Sequence, residues 1–173
     1  MRTSRGKSDL TGRAHLPAKP NVMDKPHLID KPHLIDRALR DVSHGRFERS
    51  LSALTAVSAL VTGAEVYLEH YKGSFGNKWM WSPVLLAPPL AAAGVAGVFS
   101  QRAAKTALPV TAGLYFANGL LGEYFHARGV ARKPGGWAQY SYNLPMGPPI
   151  SAPGLMSMVG GMGLLAAILR REK

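Results

Sequence analysis

Residues 150–169, ISAPGLMSMVGGMGLLAAIL, contain no charged side chain, and residues 83–99, PVLLAPPLAAAGVAGVF, are equally uncharged. A helix needs about 20 residues to cross the hydrocarbon core of a bilayer, which is about 30 Å thick. A helix in a water-soluble protein carries polar residues every three or four positions on its exposed face, and both stretches lack that pattern. They therefore predict membrane-spanning helices, and the alternative is a soluble bundle with unusually apolar core helices.

Two further segments have the same apolar character. Residues 50–71, SLSALTAVSALVTGAEVYLEHY, are uncharged as far as Glu65, and residues 107–125, ALPVTAGLYFANGLLGEYF, contain one acid, Glu123. With these two segments the sequence predicts an all-α integral membrane protein with four transmembrane helices.

The charge of the chain predicts its orientation. The 173 residues include 21 Lys and Arg against 10 Asp and Glu, a formal net charge of +11, and no Cys. Sixteen of the cationic residues lie in the N-terminal 49 residues, in the 100–106 turn and after residue 169, and five lie in the other two loops. Because cationic loops stay cytoplasmic, both termini are predicted to be cytoplasmic in an inner or plasma membrane. The lack of Cys excludes a disulfide scaffold and a cysteine nucleophile.

Residues 1–49 form a basic arm in which the hexapeptide KPHLID occurs twice, at residues 25–30 and 31–36. The repeat predicts a mostly disordered segment, and residues 37–48 predict a short interfacial helix. The cations do not alternate with aromatic residues, so the expected partner is the lipid bilayer and not a nucleic acid. Four arginines are predicted to contact anionic lipid headgroups: Arg37, Arg40, Arg46 and Arg49.

The chain shows an internal duplication. An offset of 56 aligns Gly63 with Gly119 and His70 with His126, and an offset of 60 aligns the Pro pairs at 88–89 and 148–149. Residues 50–103 and 104–173 are therefore predicted to be two hairpins, parallel repeats that close into a pseudo-two-fold four-helix bundle.

The Pro pairs and the small residues give more detailed expectations. Since Pro is tolerated in the first turn of a helix, the second and fourth helices are expected to begin at the Pro pairs, with residues 83–87 and 143–147 as non-helical entries. Small residues are expected to let these two helices approach each other closely. The residues concerned are Ala91, Ala92, Ala93, Gly94, Gly97, Gly154, Gly160, Gly161 and Gly163.

The candidate functional residues are acids and histidines at the outer ends of the first and third spans: Glu65, Glu69, His70, Glu123 and His126. Glu123 and His126 are spaced i, i+3, and carboxylates beside a Glu-x-x-His pair are typical of metal sites in helix bundles. The two histidines would also suit a haem iron. The alternatives are structural pairing with Lys72, Arg128 or loop backbone, and proton or quinone chemistry.

Other polar and aromatic residues complete the pattern. Asn118 lies within the third span and requires a partner from another helix. Tyr and Trp cluster in the two outer loops, which is typical of anchoring at the membrane interface. They are Tyr67, Tyr71, Trp79 and Trp81 in one loop, and Tyr124, Trp137, Tyr140 and Tyr142 in the other.

The sequence leaves three functions open. Nucleotide-binding and hydrolase motifs are missing, which favours a non-catalytic accessory or anchoring subunit that binds other membrane subunits or a second copy of itself. The second function is a redox subunit that binds a metal, haem or quinone through the Glu and His residues. The third is a carrier for a small solute or ion.

Overall fold

The computed structural model describes Asp36 and residues 46–169. Within residues 46–169 the chain is helical, with no strand. The four long helices are α1 (Arg46–Lys72), α2 (Trp81–Phe99), α4 (Ala107–Ala131) and α6 (Ser151–Ile168). The short helices are α3 (Gln101–Lys105) and α5 (Tyr140–Asn143), and 3-10 turns lie at Lys78–Met80 and Gly136–Gln139.

The four long helices form a bundle with a square cross-section. α1 packs against α2 and α6, and α4 packs against the same two helices, so that α1 and α4 occupy opposite corners. One end of the bundle, here named the Lys105 end, carries the short connection between α2 and α4. The opposite end, named the histidine end, carries residues 73–80 and 132–150 together with His70 and His126.

Three segments are long and apolar enough to cross a membrane: Arg46–Lys72, Lys78–Phe99 and Ser151–Ile168. They correspond to the first, second and fourth predicted spans. α4 is not among them because it combines its apolar residues with Asn118, Glu123 and other polar side chains. Many large apolar side chains of the bundle face outward, Leu85 and Ile168 among them, as expected of a surface that contacts lipid.

The N-terminal predictions fall mostly outside the described residues. Arg37, Arg40 and the KPHLID repeat apart from Asp36 lie outside the described residues. Residues 46–48 of the predicted interfacial helix are continuous with the first span in α1, and Arg46 and Arg49 are exposed at its start.

The expectation that the second and fourth helices approach each other was wrong. α2 and α6 lie at opposite corners of the bundle, and their small residues face other helices. A Cβ added at Gly94 would lie 2.8 Å from the Ser52 carbonyl oxygen of α1. A Cβ at Gly160 would lie 2.5 Å from the Phe116 nitrogen of α4. Ala92 is exposed, so it takes no part in this packing. The small residues therefore bring each helix against its hairpin partner.

The start of α2 also differs from the prediction. α2 begins at Trp81 and carries Pro83 in its first turn, while Pro88 and Pro89 lie inside the helix. Residues 83–87 are thus helical, because Pro83 already occupies the favourable position and an apolar segment satisfies its backbone best as a helix. α6 begins at Ser151, just after the second Pro pair, and residues 144–147 are non-helical, whereas Asn143 belongs to the short helix α5 and not to the predicted non-helical entry.

Tyr115 connects two opposite corners of the bundle. Its side chain is fully buried, and its hydroxyl lies 2.8 Å from Thr62 Oγ1 on α1. Thr62 Oγ1 donates to the Ser58 carbonyl at 2.8 Å, so the Tyr115 hydroxyl is the donor to Thr62. This bond satisfies a buried phenol at the centre of an apolar bundle.

The close approach of α6 to α4 is tested by alanine substitutions at two adjacent glycines. Gly160→Ala places a methyl group against the backbone of Phe116 and is expected to lower the free energy of unfolding by about 1–3 kcal/mol. Gly161→Ala is the matched control, since its Cβ would lie 3.8 Å from the nearest Phe116 ring atom. Unfolding in detergent, followed by tryptophan fluorescence, measures both variants. Equal stabilities would contradict the proposed contact.

The Tyr115–Thr62 bond is tested by a double-mutant cycle with Tyr115→Phe and Thr62→Val. A coupling free energy of about 0.6 kcal/mol is expected, the average for hydrogen bonds between membrane helices. The same unfolding measurement on the two single variants and the double variant gives this value. Strictly additive effects would show that the bond contributes nothing to stability.

Candidate functional site

A pocket of about 450 Å³ lies at the histidine end, among all four long helices. Its wall is mostly apolar and includes aromatic side chains and prolines. The polar lining residues are Glu69, His70, Asn77, Ser82, Asn118 and His126. The structure therefore brings together four polar residues that the sequence predicts as candidates, Glu69 and His70 from α1 and Asn118 and His126 from α4, two helices at opposite corners of the bundle.

The two histidines make the same kind of hydrogen bond. His70 Nδ1 lies 2.7 Å from the Met80 carbonyl oxygen, and His126 Nδ1 lies 2.7 Å from the Pro149 carbonyl oxygen. Both carbonyls belong to residues just before the next long helix. A carbonyl oxygen only accepts, so each imidazole donates from Nδ1. A neutral ring in this tautomer carries its lone pair on Nε2.

The loop after α1 holds His70 in position. The chain reverses at Ser74 and Phe75, whose φ angles of 56° and 47° are left-handed, and the Phe75 amide donates to the His70 carbonyl at 3.0 Å. The Phe75 ring then stacks on Trp81 with a centroid distance of 4.0 Å. This packing fixes Met80, the partner of His70, at the start of α2.

Asn118 finds the interhelical partner that the sequence required. Its Nδ2 donates to Ser82 Oγ on α2 at 2.9 Å, and Ser82 Oγ donates to the Trp79 carbonyl at 2.8 Å. Ser82 could not be predicted as this partner, because a serine beside a loop carries no signal of its own. The pocket wall is thus tied by hydrogen bonds to the loop that precedes α2.

The acids behave differently from the histidines. Glu69 lines the pocket and pairs with Lys72 Nζ at 2.5 Å, a bridge in the last turn of α1. Glu65 is exposed and Glu123 is half-buried beside Gly154, and neither lines the pocket. Residues at i, i+3 or i, i+4 lie on the same face of a helix, but that face is wide. Two such residues therefore need not line the same pocket.

Among residues 46–169 and Asp36, no group of three or more His, Asp and Glu side chains could hold a metal ion. The predicted carboxylate metal site is therefore not assembled in this part of the chain. The contacts of Glu69, His70 and His126 are instead those of the structural alternative, pairing with Lys72 and with loop backbone.

A fourth acid in the helices was not singled out from the sequence. Glu48 is only 2% exposed, although it lies in the basic segment for which the sequence predicts an interfacial helix. α1 begins at Arg46, before the apolar run that starts at Ser50, and Glu48 is buried within this extension.

Comparison with known proteins gave no match: no family model, no curated protein and no solved structure is significantly similar to the chain. The geometry of the pocket is consequently the basis for a functional interpretation.

Proposed function

We propose that this chain is a multi-pass membrane protein that binds a small ring compound of the quinone class in the pocket at its histidine end. The observation that carries the proposal is a largely apolar pocket of about 450 Å³ lined by two histidines with the same hydrogen bond. Its volume lies in the range of about 300–1,000 Å³ typical of small-molecule sites. This is the redox-subunit function among the three that the sequence left open.

The proposal includes α4 as a fourth crossing. α4 has 25 residues, which is long enough to span a bilayer, and it packs between α2 and α6. Two of its polar residues, Asn118 and His126, line the pocket, so their cost in the membrane is reduced. With four crossings, the bundle consists of two parallel hairpins related by a pseudo-two-fold axis. The distribution of cationic loops then favours a cytoplasmic Lys105 end, with the pocket on the other side of the membrane.

The pocket suits a quinone-type ring better than the other cofactors considered. Flat apolar and aromatic side chains, Trp79, Phe125 and Pro149 among them, provide surfaces for a ring, and the histidines provide polar contacts for oxygen atoms at its edge. A metal ion would need a ligand group that the described residues do not supply. Haem would require Nε2 of both histidines on one iron, and a haem absorption band in the purified protein would favour it over a quinone.

The two other functions make different demands on the structure. A carrier needs a path through the bundle, but Leu90, Leu108 and Tyr115, further along the helices from the pocket, are fully buried in the core. An accessory subunit acts through its contacts with partner chains, so changes within the pocket would leave it functional. The binding experiment below separates that function from the proposed one.

Ligand binding is tested with 2,3,5-trimethyl-1,4-benzoquinone and the full chain in nanodiscs, by quenching of tryptophan fluorescence. Saturable quenching is expected, since Trp79 lines the pocket. Ala152→Phe fills the pocket and is expected to weaken binding at least about tenfold. Ala64→Phe is the control, because Ala64 is exposed and lies outside the pocket. The proposal fails if the wild type shows no saturable binding or if both variants bind equally well.

The membrane topology is tested by single cysteines, which the natural chain lacks. Ser74→Cys, Gln101→Cys and Ser141→Cys replace exposed residues in the three connections between the long helices. A membrane-impermeant maleimide added to intact cells should label positions 74 and 141 and spare position 101. Labelling of 74 and 141 from opposite sides would show that α4 does not cross.

A further inference from the structure

We infer that the pocket selects the reduced hydroquinone over the oxidised quinone, an inference that rests on the proposed function and names the form of the ligand. The two forms share one ring and differ in their edge oxygens. A hydroquinone carries two O–H groups that donate hydrogen bonds, whereas a quinone carries two carbonyl oxygens that only accept. The polarity of the groups in the pocket therefore decides which form binds.

The histidines supply acceptors. Each ring nitrogen Nδ1 is committed as a donor to a backbone carbonyl, Met80 for His70 and Pro149 for His126. In each neutral imidazole the other ring nitrogen, Nε2, accepts a hydrogen bond. The two acceptors come from helices at opposite corners of the bundle, and they match in number the two hydroxyl groups of a hydroquinone.

The surroundings of the histidines favour the neutral form. Both imidazoles line one largely apolar pocket, where a charged ring would lose its hydration. The carboxylate of Glu69, which also lines the pocket, is paired with Lys72, which offsets its charge. Two neutral rings with the proton on Nδ1 each present Nε2 as an acceptor.

The remaining polar groups of the pocket include both donors and acceptors. Asn118 commits one N–H to Ser82 and keeps a second, the Asn77 amide oxygen accepts from the Trp79 N–H, and the Ser82 hydroxyl is committed to the Trp79 carbonyl. The carboxylate of Glu69 accepts and does not donate. The preference is therefore set by the histidines: a quinone ring bound between them would place its carbonyl oxygens against acceptors, and a site built to bond a hydroxyl discriminates strongly against the analogue that lacks it.

The experiment compares 2,3,5-trimethylhydroquinone with 2,3,5-trimethyl-1,4-benzoquinone by anaerobic equilibrium dialysis against the full chain in nanodiscs. The hydroquinone is expected to bind at least about tenfold more tightly, one well-placed hydrogen bond being worth about this factor. His70→Phe and His126→Phe each remove an acceptor and should reduce hydroquinone affinity about tenfold, with quinone affinity changed less than about threefold. Tyr124→Phe, at an exposed position of α4 outside the pocket, is the control and should leave both affinities unchanged.

The outcomes separate this inference from the proposed function. Equal or tighter binding of the quinone overturns the inference and leaves the proposed function standing, whereas binding of neither form overturns both. Equal losses of both affinities in the histidine variants would show a structural role and also overturn the inference. ¹⁵N spectra of histidine-labelled protein give an independent test, since the proton must reside on Nδ1 of both neutral rings, and a proton on Nε2 overturns the inference without a binding assay.

Discussion

The close contact of backbone with backbone across the hairpins is the constraint on which the rest of this structure depends. Gly94 lies against Ser52 and Ala56, and Gly160 lies against Ala112 and Phe116, at distances that exclude a methyl group. Bilayer lipid is as apolar as the helix surfaces, so helix association there rests on such packing and on hydrogen bonds. These contacts set the helix spacing that allows Tyr115 to reach Thr62 across the bundle.

The same spacing produces the pocket. Toward the Lys105 end the helices are held together by small residues and by Lys105, which donates to the Ala167 carbonyl at 2.7 Å and also to that of Leu169. At the histidine end the wall includes the larger side chains of Trp79 and Phe125 and the loop residues before α2 and α6. Because the loops bond to His70 and His126, the residues that could bind a ligand also hold the end of the bundle together. A structural and a functional role are therefore compatible in the same two side chains.

Part of the candidate site could be predicted from the sequence. The alignment of His70 with His126 indicated that two histidines occupy equivalent places, and both line one pocket. The contribution of the acids could not be predicted in the same way, because helical spacing gives the face of a residue and not what that face contacts. Glu69 reaches the pocket, whereas Glu65, one turn away, is exposed. No sequence pattern predicts the contacts of Ser82 or of the Met80 and Pro149 carbonyls. These contacts depend on where each loop lies against the preceding helix.

The sequence by itself determined the apolar segments, the helical class and the uneven distribution of charge, because hydrophobicity and charge are properties of each residue and of its near neighbours. It also indicated the small residues needed for close packing. Only the tertiary structure decided which helices those residues join, that α2 continues through Pro88 and Pro89, and that His70 and His126 share a pocket with Asn118 and not with Glu123. The helix pairing and the composition of the pocket depend on the rotation of each helix about its own axis. Contacts between residues far apart in the chain set that rotation, and a local pattern does not contain it.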